Sequence, residues 1–276
     1  MKIAFFSRHF FRTSLEKAFR VAGEFGYDGL ELWGGRPHFF PEDLTDDRIG
    51  EIIGMKEKYG LETPMLSPEV LNYPYGLASF DKATRKDTVE YFKGCIQWAA
   101  KVYCPRVQIA VGHTGYGTDR KKALDNLRET MLPIIESAEA HDINLVIEPL
   151  TMIESNLMIM LDDVIDFIDT FASDRLKYMI DTVTPSLHCE TMADYFEKMK
   201  DRMDYVHFVG ADRVSYHHYV PDEGIVPMDE VLKIFLRHDY KGWISVELNE
   251  PEIWDPELSA GRSITVIRKM LENIGN

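Results

Sequence analysis

Residues 14–33 read SLEKAFRVAGEFGYDGLELW. The run from Ser14 to Phe25 is amphipathic at helical spacing, with Thr13 or Ser14 as a cap ahead of Glu16, and it stops at Gly26. Across Gly26-Tyr27-Asp28-Gly29 the pattern changes to a short run of strand formers, Gly29 to Trp33. A helix that hands over to a strand within a few residues is the repeating half of a parallel βαβ unit. A similar phrase returns near the other end, where Asp239-Tyr240-Lys241-Gly242 leads into a second apolar run.

The same alternation fills the chain. Strands are expected at Lys2 to Ser7, Gly29 to Trp33, Glu62 to Leu66, Arg106 to Val111, Asn144 to Glu148, Lys177 to Asp181, Tyr205 to Val209 and Trp243 to Leu248. Helices are expected at Ser14 to Phe25, Asp46 to Tyr59, Lys82 to Val102, Lys121 to His141, Leu161 to Phe171, Met192 to Asp201, Pro227 to His238 and Glu257 to Ile274. No Ser/Gly/Pro linker and no shift of composition interrupts the series. Eight strand-then-helix units predict an α/β fold, a single (β/α)8 TIM barrel spanning 1–276 as one domain, over an open doubly wound sheet.

With 276 residues, 45% of them hydrophobic and 28% charged, the chain can bury one large core and is neither disordered nor fibrous. A formal charge of −15 with no basic block repels a phosphate backbone, which argues against nucleic acid and for small-molecule chemistry. Cys95, Cys104 and Cys189 are odd in number and form no CxxC pair, which suits a reducing compartment, the cytoplasm. The apolar run at Met1 to Arg8 is too short for a signal peptide, and no stretch approaches the roughly 20 apolar residues of a membrane span. A soluble protein with no membrane partner is expected.

The longer connections follow strands: 34–45, 67–81, 112–120, 149–160 and 210–226. In a barrel they cover the C-terminal face, where barrel active sites lie. They and the strand ends carry Trp33, His38, Tyr73, Tyr75, His113, Tyr116 and His218, which imply a pocket for a polar organic molecule. The plainer alternative is that these side chains pack on the barrel top.

Four expected strands carry a potential metal ligand at or near their ends: Glu148 in Val146-Ile147-Glu148-Pro149, Asp181 in Met179-Ile180-Asp181-Thr182, His207 in Tyr205-Val206-His207-Phe208 and Glu247 in Ser245-Val246-Glu247-Leu248. Such groups are costly inside an apolar strand unless something pairs with them. Taken singly, each reads as an ion pair or a cap. On consecutive strands they converge at one end of a barrel, and three carboxylates with one imidazole suit a divalent ion of the Mn²⁺ or Co²⁺ kind. Two glutamates from separated strands could serve opposite faces of a chelated substrate, giving epimerisation, whereas a 1,2-isomerisation needs one base on one face. The residues alone leave both open.

Longer motifs narrow the choice. They are Gly26-Tyr27-Asp28-Gly29-Leu30-Glu31-Leu32-Trp33-Gly34-Gly35-Arg36-Pro37-His38, Asn72-Tyr73-Pro74-Tyr75, Glu148-Pro149-Leu150-Thr151 with Glu154-Ser155-Asn156, and His218-Tyr219-Val220-Pro221 with Glu223-Gly224. Over nearly the whole chain the sequence resembles the sugar phosphate isomerase/epimerase family of xylose isomerase-like TIM barrels, and within it the members acting on fructoselysine. The resemblance implies a 3-epimerase that interconverts fructoselysine and psicoselysine through a cis-enediolate. It implies Glu148, Asp181, His207 and Glu247 as ligands of one divalent ion, Mn²⁺ or Co²⁺ ahead of Zn²⁺, Ni²⁺ or Mg²⁺, with Glu148 and Glu247 as the acid/base pair. It also implies a homo-oligomer, with Arg213 near the C1 or C2 oxygen of the substrate and Glu154 at the C1 substituent.

One departure bears on the substrate. Family members that act on free ketoses carry a histidine three residues past the aspartate ligand, for the C1 hydroxyl, where this chain has Thr184. A C1 amine suits that change, and Glu154 or Glu69 would face it, helped by the overall negative charge. Trp33 and His113 complete the expected substrate contacts, with His38 beside them. Free-ketose 3-epimerases of the tagatose or psicose type and 1,2-aldose-ketose isomerases are the near alternatives. More distant ones are a multi-zinc phosphodiesterase of the endonuclease IV type, which would need more histidines, and a silent sugar-binding barrel, which would need no second glutamate.

Overall fold

A computed structural model describes residues 1–249 and 254–275; residues 250–253 and 276, inside the expected 1–276 domain, lie outside the described residues. Eight parallel strands close into a barrel in sequence order, β1 (Lys2–Phe6), β2 (Gly29–Trp33), β3 (Leu66–Ser67), β4 (Arg106–Ala110), β5 (Asn144–Glu148), β6 (Leu176–Asp181), β7 (Met203–His207) and β8 (Trp243–Val246). The ring shuts where β1 pairs with β8, from Lys2 against Trp243 to Phe5 against Val246. Around it run α1 (Leu15–Phe25), α2 (Asp46–Tyr59), α3 (Lys82–Lys101), α4 (Arg120–His141), α5 (Leu161–Ile168), α6 (Val183–His188), α7 (Met192–Met199), α8 (Met228–Arg237) and α9 (Pro256–Gly275). Among the described residues no helix is long and apolar enough to cross a membrane.

The helix signals act as their chemistry requires. The Ser14 hydroxyl accepts from the Lys17 amide to start α1, and Gly26, at φ +80°, takes the left-handed turn that ends it. Thr45, Asp81 and Asp119 cap α2, α3 and α4 in the same way. Some element ends shift by two or three residues, β7 running Met203–His207 where Tyr205 to Val209 was expected, and two places differ more. The third strand was expected at Glu62 to Leu66 and forms instead at Leu66–Ser67, with Glu62 held by an isolated bridge to Gly29. Pro64 lies between them and has no amide to give the ladder, so pairing resumes only beyond it. After β6 the chain turns at once into α6, which the alternation did not reveal; Pro185 sits in its first turn, where a missing amide costs nothing.

Side chains that alternate along the strands sort into two environments. Outward residues such as Phe5, Leu30, Ile147 and Val206 join the large core between barrel and helices. Inward residues Ala4, Met65, Val146, Met179, Tyr205 and Trp243 come from six different strands or strand approaches and form a separate sealed plug. Two positions further along each strand the inward side chain becomes polar or charged in most cases. Removing a plug side chain should leave a cavity that a closed barrel cannot collapse. Met179→Ala is expected to cost about 2–5 kcal/mol of unfolding free energy, read from the denaturant midpoint; an unshifted midpoint would mean that the barrel interior is not close-packed.

Candidate metal centre and substrate cleft

The step from plug to polar layer is a two-residue register. Val146 is followed by Glu148, Met179 by Asp181 and Tyr205 by His207, each pair on one inward face, and Glu247 stands just past the end of β8 on the face of Trp243 and Ser245. The structure therefore brings all four expected ligands together: one ligand atom from each of Glu148, Asp181, His207 and Glu247 lies within 4.8 Å of the others. His207 Nδ1 is 2.7 Å from Glu247 Oε2, 3.2 Å from Glu148 Oε1 and 3.8 Å from Asp181 Oδ2. The far oxygens are engaged elsewhere. Gln108 donates to Glu148 Oε2 at 2.6 Å, and the Val183 amide donates to Asp181 Oδ1 at 2.7 Å.

Burial sets the electrostatics. It pushes the Glu148 carboxyl up to about 8, with His207 pulling the other way and the charges of Glu247 and Asp181 adding to the rise. Burial also presses on Glu247, but His207, His218 and Arg8 outweigh it and hold that carboxyl well below its usual range. Burial opposes a charged His207, and the carboxylates of Glu247 and Glu31 overcome it. Three carboxylates and one imidazole thus share a largely buried space with too little positive charge to balance them. This donor set, mixed oxygen and nitrogen with one charge-deficient centre, fits a divalent ion.

Two residues outside the expected ligand set also reach the centre, Glu31 and His218, the latter expected only as a pocket group. Glu31, fully buried in β2, lies 3.1 Å from His207 Nε2. Its signal was the one used for the four ligands, an acid inside an apolar strand, but β2 lies apart from the run of strands that drew attention. His218 donates from Nδ1 to the Glu247 carbonyl at 2.8 Å and holds Nε2 3.5 Å from Asp181. It arrives on the long loop after β7, which folds back so that Gly210 pairs with Tyr219. A Cβ at Gly210 would stand 2.1 Å from the Glu223 carbonyl, so only glycine permits the fold-back that delivers His218.

Above the centre opens a cleft of about 1100 Å³. Of the expected substrate contacts, Trp33, Glu69, His113 and Glu154 line it. Glu69 is already occupied: Trp33 Nε1 donates to it at 3.0 Å, the Leu71 and Asn72 amides at 3.1 Å each, and Arg8 lies 3.6 Å away. Glu154 accepts from the Thr151 amide and hydroxyl through one oxygen, and burial raises its carboxyl. His113 Nδ1 accepts from the Gly115 amide, and its buried Nε2 has no partner among the described residues. Thr184 lines the cleft too, with its hydroxyl given to the Pro149 carbonyl at 3.1 Å. Arg213 is not brought in: it is exposed on the loop after β7 and outside the cleft lining. Nor is His38, which is buried under the loop after β2 with Nε2 3.1 Å from the Phe10 carbonyl.

The xylose isomerase-like TIM barrel model matches residues 19–270. The chain belongs to that family. Within it, the chain is 33% identical to fructoselysine 3-epimerase of Shigella flexneri over 271 residues, 98% of both chains. D-psicose 3-epimerase of Enterocloster bolteae is 31% identical over 124 residues, 45% of this chain and 38% of that one. Among solved structures of this barrel, a D-tagatose 3-epimerase-like protein superposes with a TM-score of 0.86 at 21% identity, covering 100% of this chain and 98% of its own.

The placement of His38 has a measurable consequence. Burial drives its imidazole from 6.5 down to about 4, against the pull of its carbonyl partners. Between those values the unfolded chain takes up a proton that the folded chain refuses, so stability is lost as pH falls from 6.5 towards 4. His38→Gln is expected to flatten this part of the curve of melting temperature against pH; an unchanged slope would assign the proton uptake to other groups.

Proposed function

We propose that the protein is a divalent-metal-dependent sugar 3-epimerase that interconverts fructoselysine and psicoselysine. Its kinship with 3-epimerases along the whole chain makes it an isomerase of the sugar 3-epimerase type. The observation that carries the mechanism is the meeting of Glu148 and Glu247, from strands three apart round the barrel, in one buried cluster at the cleft floor. A substrate lying over that floor with its C3 between the two carboxylates exposes one face to each. One carboxylate takes the C3 proton, the electron pair delocalises onto the neighbouring carbonyl as an enediolate, and the other carboxylate returns a proton to the opposite face. Glu148, Asp181, His207 and Glu247 would hold the metal, a Mn²⁺ or Co²⁺ ion by preference, whose Lewis acidity lowers the barrier to losing the α-proton. Gln108 keeps one Glu148 oxygen engaged and so fixes which oxygen turns to the centre.

The C1 amine rests on the walls. The cleft, at about 1100 Å³, lies just above the roughly 300–1000 Å³ typical of small-molecule pockets, and gives room for an arm beyond a free hexose. Thr184 has spent its only donor on Pro149, so towards the cleft it can only accept. Glu154 keeps one carboxylate oxygen without a partner among the described residues, while Glu69 is saturated. A protonated secondary amine brings two donors to these acceptors, and a hydroxyl brings one. Glu154 is the residue assigned to the amine, with Trp33, Glu69 and His113 shaping the wall beside it.

Incubation in D₂O with added Mn²⁺ or Co²⁺, followed by NMR, tests the reading. Fructoselysine is expected to gain deuterium at C3 as psicoselysine accumulates, with free fructose and psicose exchanging more slowly. Label at C1 would make the protein a 1,2-isomerase, and equal rates on the free ketoses would remove the amine preference. Glu148→Gln and Glu247→Gln should each lower turnover by about 10²–10⁴-fold; near-normal turnover in either would refute the two-carboxylate mechanism.

A further inference from the structure

Glu31 is a carboxylate with no exposed surface, in the middle of β2, and no lysine or arginine forms an ion pair with it among the described residues. Burying it alone would be costly. Three side-chain donors converge on it. Ser67 donates to Oε1 at 2.5 Å, Tyr205 donates to Oε2 at 3.1 Å, and His207 Nε2 lies 3.1 and 3.3 Å from the two oxygens. All three come from inward positions of other strands, and Tyr205 belongs to the sealed plug below. Because a carboxylate only accepts, the Glu31 contact requires a proton on Nε2, and by the same rule the carboxylates facing Nδ1 need either a second ring proton or a cation in its place. The other nitrogen, Nδ1, is the one that faces Glu148, Asp181 and Glu247.

An imidazole has two nitrogens and a rotatable ring, so a barrel that merely placed His207 at this depth would leave both open. Here the choice is made from behind. We propose that Glu31 is a positioning residue for the metal centre: it fixes the tautomer and the ring orientation of His207 so that Nδ1 is the bare, ligating nitrogen, while Ser67 and Tyr205 hold Glu31 in place. The inference rests on the reading of the four-residue cluster as a metal site. Carboxylate partners of this kind act on ligand geometry and basicity, and losing one typically weakens metal binding by about 10–100-fold.

The test separates the two claims. Purified wild-type and Glu31→Gln protein, each stripped with chelator, are titrated with Co²⁺ while the visible absorption of the bound ion is recorded. Wild type is expected to bind one Co²⁺ per chain; if it binds none, the metal site itself is wrong. With wild type binding, Glu31→Gln should bind about 10–100-fold more weakly and show a changed Co²⁺ spectrum. Equal affinity with an unchanged spectrum would overturn the role of Glu31. Tyr205→Phe, which removes one of the hydrogen bonds holding Glu31, should shift the spectrum in the same direction by a smaller amount. Should Glu31→Gln not fold, ¹⁵N NMR of histidine-labelled, Zn²⁺-loaded wild type decides directly. The proposal requires a proton on Nε2 of His207 and metal on Nδ1, and the opposite tautomer overturns it.

Discussion

One imidazole stands among four carboxylates in a buried cluster at the floor of the cleft. His207 meets Glu148, Asp181 and Glu247 through one nitrogen and Glu31 through the other. A barrel interior gives such charges little dielectric relief, and the arrangement persists because strand register holds Glu31, Glu148, Asp181 and His207 in place, with Glu247 one residue past the end of β8. The apolar plug beneath supplies that rigidity: with Val146, Met179 and Tyr205 packed, the residues two further along each strand have one direction left to point. Stability and chemistry therefore come from the same strands, divided by a single step of the pleat.

The division of labour above that floor is different. The cleft walls come from loops of unequal length, and their polar groups are mostly turned to local backbone: Thr184 to Pro149, Glu154 to Thr151, His113 to Gly115. In the proposed reaction the strand-built floor would fix where a proton is taken and returned, and the loop-built walls what may hang from the sugar. The loop after β7 is the exception. Its fold-back against Gly210 carries His218 down to the Glu247 carbonyl, so this wall is tied to the floor.

What could be read in the sequence follows the same physics. The alternation of helix and strand and the cap at Ser14 are local signals that placed the barrel, and the four cluster residues were legible as ionisable groups at or near its expected strand ends. The third strand shifted because Pro64 breaks a ladder that composition alone favoured. The short helix after β6 was hidden because Thr182 at its start makes no capping bond and its first amide goes instead to Asp181, an expected metal ligand. Glu31 went without a role, and His218 was legible only as a pocket group, because what ties each to the centre is a partner far along the chain, Glu31 with His207 and His218 with Glu247. Arg213 shows the converse: a family resemblance implies a substrate contact, and the loop leaves the residue exposed.

Asp181 divides its two oxygens between two duties. Oδ2 faces the His207 nitrogen, and Oδ1 takes the Val183 amide at the first turn of α6. The carboxylate is thus a rigid lever with a binding centre on one arm and a helix on the other. Whatever occupies the centre and stills Asp181 also stills the start of α6, and the Val183 amide becomes a remote gauge of occupancy whose solvent exchange slows as the centre fills. Thr184, the cleft-facing acceptor, is the next residue of that helix, so filling the centre also stiffens the wall against which a substituent would rest.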